Sequence, residues 1–119
     1  MSMQPSPPRP SVLQLALKEK GALYAAYISL FAEGGIFVAT PREFRLGDDV
    51  YVLLTLPDDP HRHPIAGQVA WVNPPRSAGR RPQGVGVAFP PEDASRLLKI
   101  KIEQILGTAL GSSRPTHTL

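Results

Sequence analysis

The side chains best suited to chemistry form one short run, Asp58-Asp59-Pro60-His61-Arg62-His63. Carboxylates and imidazoles are metal-ligand types, and His61 and His63, two apart in a loop, could converge on one ion. The remaining histidine, His117, stands near the C-terminus, so no second cluster completes a coordination sphere. The run reads as a solvated hairpin loop, and no metal is expected. Hydrolysis finds no better footing, because Ser29, Ser77 and Ser95 lie outside any nucleophile elbow. No glycine-rich loop precedes a helix in the manner of a phosphate cradle. Gly84 and Gly86 sit instead in a strand pattern, where a missing side chain lets another backbone approach closely. The absence of cysteine removes disulfides, thiol nucleophiles and zinc–thiolate sites. With no poised acid, base or nucleophile, the protein is not expected to be an enzyme or to carry a cofactor.

Charge narrows the partner class only weakly. Thirteen Lys plus Arg stand against ten Asp plus Glu, a net charge of +3, and the densest cationic group is Arg76, Arg80 and Arg81. A nucleic-acid surface needs a clustered basic stripe, so a nucleic-acid-binding barrel rests on the basic balance alone and is set aside. No apolar run reaches the roughly 18 residues of a membrane span. The opening MSMQPSPPRPS has one Arg, four Pro and no apolar core, so it does not read as a signal peptide. The expectation is a cytoplasmic protein that neither inserts into a membrane nor binds nucleic acid.

The elements that position these residues follow from periodicity. The length of 119 residues fits one domain, with a flexible N-terminal tail over 1–11, the domain over 12–111 and a C-terminal tail over 112–119. Fourteen prolines and ten glycines cut the chain into short apolar segments, which argues for β structure. Strands are expected over 12–17, 22–28, 36–40, 50–56, 65–73 and 84–89, with turns at Leu46-Gly47-Asp48-Asp49 and Pro57-Asp58-Asp59-Pro60. In the second strand Tyr24 and Tyr27 would point to opposite faces, so at most one would be core. After Pro90-Pro91 the period changes. Ala94, Leu97, Leu98, Ile102, Ile105, Leu106, Ala109 and Leu110 trace a helical stripe over 92–110, with Gly111 as its cap. The fold expected is mostly β: a six-stranded barrel plugged by a C-terminal helix.

Several phrases of this pattern resemble the PilZ-domain family: Leu23-Tyr24-Ala25-Ala26-Tyr27, Glu33-Gly34-Gly35-Ile36-Phe37-Val38, Leu46-Gly47-Asp48, Ile65-Ala66-Gly67-Gln68-Val69-Ala70-Trp71 and Gly84-Val85-Gly86-Val87-Ala88-Phe89. The closing Arg114-Pro115-Thr116-His117-Thr118-Leu119 is similar to the terminus of stand-alone PilZ proteins of type IV pilus systems. The resemblance implies a six-stranded barrel with a C-terminal helix. It also raises the question of cyclic di-GMP, which most PilZ domains bind through an Arg-x-x-x-Arg segment before the barrel and an Asp/Asn-x-Ser-x-x-Gly motif on a strand. Arg forks grip phosphates and stack on guanine, and short polar side chains bond guanine edges. Here Gly35 matches the final glycine, but Leu30 stands in place of Asp/Asn and Ala32 in place of Ser. Before the first strand there is only Arg9, with Leu13 four positions on; the Arg76 and Arg80 spacing lies far along the chain.

Pilus-type members share this loss, and the resemblance implies a monomeric protein-binding adaptor of type IV pilus biogenesis and twitching motility. Its partners would be the ATPase that drives pilus extension and a cyclic di-GMP receptor with degenerate GGDEF and EAL domains. The alternative is a cyclic di-GMP effector that binds through non-standard residues. Tyrosine is common at interfaces, and the matching Leu-Tyr-x-x-Tyr phrase makes Tyr24 the preferred contact. The tail residues Pro115, Thr116, His117 and Thr118 complete the expected protein-interaction set. Trp71 reads as a core or rim residue. A polar tail of this kind is expected to have low order until a partner holds it.

Overall fold

A computed structural model describes residues 11–75, 81–107 and 117. Its elements are β1 (Ser11–Ala16), α1 (Lys20–Ala26), β2 (Tyr27–Ile28), β3 (Gly35–Ala39), β4 (Asp49–Thr55), β5 (Arg62–Asn73), β6 (Gly84–Ala88) and α2 (Asp93–Leu106). The strands form one sheet in the order β1-β4-β5-β6-β3-β2. β1 runs parallel to β4, and every other pair is antiparallel.

Alternation sets the inner face. In β4, Val50, Val52 and Leu54 are buried while Tyr51 points outward. In β5, Ile65, Gly67 and Val69 are buried between exposed neighbours, and a bulge between Val69 and Trp71 shifts the register against β6. β6 lies between β5 and β3 and buries four residues in succession, Gly84 to Val87. Its glycines are there for close approach. A Cβ on Gly84 would strike the Val38 carbonyl and lie 2.6 Å from the Phe37 ring, and one on Gly86 would lie 2.8 Å from Trp71 Cβ. The β4–β5 hairpin turns through Asp58, whose φ of 55° is a left-handed value that aspartate tolerates.

The mostly β expectation holds, with six strands and a C-terminal helix, but two details change. The sheet does not close. β1 and β2 are its two ends, and β2 has only two residues, too few to reach back and pair with β1. The reason is the second change: most of the segment read as a strand over 22–28 is the helix α1. Ala22, Ala25 and Ala26 favour helix, and that preference outweighs the β tendency of the tyrosines. In this setting Tyr24 and Tyr27 are both buried, 9% and 4% exposed, so the expectation that at most one is core fails.

α2 ends earlier than the stripe suggested. Its C-cap is Gly107, at φ 52°, so that glycine terminates the helix, and the expected cap Gly111 lies outside the described residues. Leu98, Ile102 and Leu106 enter the core, Ile105 packs at its margin, and Leu97 remains exposed. α2 packs against α1. The Tyr27 hydroxyl donates to Glu103 Oε2 at 2.6 Å, which fastens β2 to α2. Burial first, then the bond to Glu103 and its charge, push that hydroxyl above its ordinary range.

Candidate partner-binding surface

The turn that would carry the nucleotide motif joins β2 to β3. Gly34 adopts φ 81°, and Gly35 opens β3 with no room for a side chain, since a Cβ would lie 2.8 Å from the Val87 carbonyl. The backbone of the motif is therefore retained while its side chains are not. Leu30 is 67% exposed, Ala32 is exposed, and neither side chain can bond a guanine edge. The polar groups nearby are engaged by α2: Arg96 pairs with Glu33 at 3.4 Å, and Lys99 donates to the Ala32 carbonyl at 3.4 Å. Arg9, Arg76 and Arg80 lie outside the described residues.

The His/Asp run is organised by one carboxylate. Asp59 accepts from the His61 backbone N–H at 2.9 Å, meets His61 Nδ1 at 3.0 Å and His63 Nε2 at 2.8 Å, and pairs with Lys101 Nζ of α2 at 2.8 Å. Lys101 foremost, then His63 and the His61 amide, hold the Asp59 carboxyl well below the usual carboxylate range. Among the described residues no group of three or more His, Asp or Glu is arranged to hold a metal ion. The run is a largely exposed hairpin loop, as expected, and through Asp59 it is also fastened to α2.

Tyr24 stands on α1, buried beside Leu23 and Ala26. Pro115, Thr116 and Thr118 lie outside the described residues, and His117 is described. His117 does not stand off in solvent. Its backbone N–H donates to the Ala25 carbonyl at 2.9 Å, one residue from Tyr24. Its own carbonyl accepts from Asn73 Nδ2 at 2.8 Å, and its ring lies 5.2 Å from that of Phe37, tilted by 45°. Burial lowers the His117 pKa from its ordinary value, which favours the neutral imidazole. At this one residue the domain itself supplies the partners. Of the expected interaction residues, the structure brings Tyr24 and His117 to the same short helix.

Sequence reasoning missed Asn73. It reads as the last residue of the strand over 65–73, with no role of its own, yet it is 4% exposed. Its Oδ1 accepts from Trp71 Nε1 at 2.7 Å, and its Nδ2 also donates to the Pro82 carbonyl at 3.1 Å. A polar residue ending a strand of alternating apolar ones was the available signal. Trp71 is half-buried and pairs with Gly86 just past the β5 bulge. A cavity of about 530 Å³ opens beside Asn73, between Arg42, Phe44, Arg45 and Gln83. It lies past the far end of β3 from the 29–34 turn. Its Arg42 already donates to Ser11 Oγ at 2.8 Å and lies over the Phe44 ring at 5.4 Å.

The family model described as PilZ domain matches residues 8–106, and the chain belongs to the PilZ-domain family. PilZ domains are in general cyclic di-GMP-binding or adaptor modules, not enzymes. No curated protein matches the sequence. Among the described residues no helix is long and apolar enough to cross a membrane.

Proposed function

We propose that this PilZ protein is a protein-binding adaptor of type IV pilus biogenesis that does not itself bind cyclic di-GMP. It links the pilus-extension ATPase to a cyclic di-GMP receptor of the degenerate GGDEF–EAL type. The receptor senses the nucleotide, and the adaptor relays that state to the ATPase. The observation that carries this reading is the β2–β3 turn, which keeps the glycine backbone of the nucleotide motif and presents Leu30 and Ala32 where bonding side chains are needed. Each lost charge-assisted bond is worth roughly 1.5–3 kcal/mol, so losing several takes a micromolar ligand past the millimolar range. The ATPase contact is assigned to Tyr24 with the C-terminal residues 115–118, a choice supported by the bond from His117 to the residue after Tyr24.

Calorimetry with cyclic di-GMP and co-purification with the ATPase test the two halves. The expected results are no saturable heat up to millimolar nucleotide and capture of the ATPase by the wild-type chain. Loss of capture is expected on Tyr24→Ala, with circular dichroism required to show that the buried position has not cost the fold. Micromolar nucleotide binding would favour the effector reading instead.

A further inference from the structure

A buried primary amide has two N–H donors and one carbonyl acceptor to satisfy, and Asn73 uses all of them. Trp71 Nε1 fixes Oδ1 at 2.7 Å, which orients the amide so that Nδ2 faces two carbonyls, those of Pro82 and His117. The Pro82 bond stays within the loop that follows β5. The His117 bond instead reaches a residue 44 positions along the chain. Around the same residue, α1 offers the Ala25 carbonyl to its N–H, and β3 offers the Phe37 ring to its imidazole. Three separate elements thus converge on one residue of the C-terminal segment, and each satisfies a different part of it.

We propose that Asn73, Phe37 and the Ala25 carbonyl form an intramolecular peptide-binding socket. Its ligand is the protein's own C-terminal segment, read at His117. The two backbone bonds fix the direction of the chain at His117, since its N–H and its carbonyl must meet partners on α1 and β5 together. The Phe37 contact selects a flat side chain at that position. Trp71 is a positioning residue that holds the Asn73 amide in the required orientation. The socket has a consequence for partner binding, which rests on the adaptor reading above. A His117 already held beside Tyr24 has lost conformational freedom before the partner arrives, so at these two residues the partner meets an assembled surface.

The test uses the full chain and the hydrogen-exchange protection of the residue-117 amide, with the Val52 and Leu54 amides as reporters of the fold. In the wild type the residue-117 amide is expected to be protected at least tenfold over an unstructured peptide. Asn73→Ala and, separately, His117→Ala are expected to lower that protection at least tenfold while Val52 and Leu54 keep theirs. His117→Ala leaves the buried amide in place, so it decides the matter if Asn73→Ala also perturbs the fold. An unprotected wild-type amide, or protection that survives His117→Ala, overturns the socket. Capture of the ATPase is then compared for the same proteins. Weaker capture by Asn73→Ala, which leaves the assigned contact residues unchanged, supports the assembled surface, whereas stronger capture would mean that docking hides His117 and overturns it. If the wild type captures no ATPase, the adaptor reading fails, and the exchange result still decides the socket.

Discussion

Replacing Tyr27 by Phe deletes one oxygen from a side chain that is 4% exposed and leaves the ring in the core. The lost bond, 2.6 Å to Glu103 Oε2, joins the short edge strand to α2. A hydrogen bond to a charged group contributes roughly 1.5–3 kcal/mol. Glu103 is itself half-buried, so water can take over its bonding and the lower end of that range applies. A loss of about 1.5 kcal/mol lowers the melting temperature of a domain near this size by roughly 5–10 °C. Glu103→Gln completes a double-mutant cycle, in which the coupling is expected to be about 1 kcal/mol. A pH titration adds an independent arm. The hydroxyl is raised above its ordinary value of 10.0 in the folded protein, so the folded state keeps a proton that the unfolded chain gives up. The stabilisation is full below pH 10 and is lost as pH rises further. Wild-type melting temperatures should therefore fall above pH 10 more steeply than those of Tyr27→Phe, and the gap between them should narrow. Melting by circular dichroism reads both quantities. Additive single variants, or parallel curves above pH 10, would refute the fastening.

Three further outcomes are expected. Gly84→Ala places a methyl against the Val38 carbonyl and the Phe37 ring, and the strain of about 1–3 kcal/mol or more should appear as a lowered denaturant midpoint. Asp59→Asn should melt below the wild type at pH 7. The Asp59 carboxyl is held below its ordinary 3.8 by Lys101 and its other partners, so its contribution is present above that pH and the difference should shrink as the medium is acidified below it. His117 is kept neutral by burial beside Ala25, Phe37 and Asn73, none of them charged. Docking should thus be complete above pH 6.5 and weaken as pH falls through the lowered value, which the protection factor of its amide would report.

The parts of this fold that were legible in the chain are those where side-chain period and environment agree. β4 and β5 alternate because one face meets the core, and α2 shows its stripe because Leu98, Ile102 and Leu106 recur every fourth residue. α1 was hidden because seven residues are about two turns, too short for a helical period to emerge, and its two tyrosines mimic a strand. That single misreading produced the closed barrel, since a full second strand would have supplied the missing edge. In the site, the loss of bonding groups at Leu30 and Ala32 was legible as residue types in a known frame. The Asn73 and Asp59 constellations were not, because they unite residues whose spacing in sequence says nothing: Asn73 with His117, and Asp59 with Lys101.

An unclosed sheet must hold its ends together by means other than strand pairing, and the polar contacts of this domain are placed where pairing stops. β2 has two residues in the sheet, and the Tyr27–Glu103 bond ties it to α2 just there. The turn beyond β2 is held to the same helix through Glu33–Arg96 and the Ala32 carbonyl with Lys99. The β4–β5 hairpin, at the other extreme of the helix contacts, is fixed through Asp59–Lys101. α2 therefore acts as a bar across separate strand ends, using residues 96, 99, 101 and 103 for four different attachments. Asn73 does for the end of β5 what α2 does for the hairpin and β2, with His117 as the second anchor. The family's nucleotide site would lie at the turn that α2 has already engaged, whereas the docked His117 lies against α1, β3 and β5. A partner gripping Tyr24 and His117 would consequently meet α1, which α2 touches by packing, and would stand apart from the polar fastenings at residues 96, 99, 101 and 103 that hold the sheet.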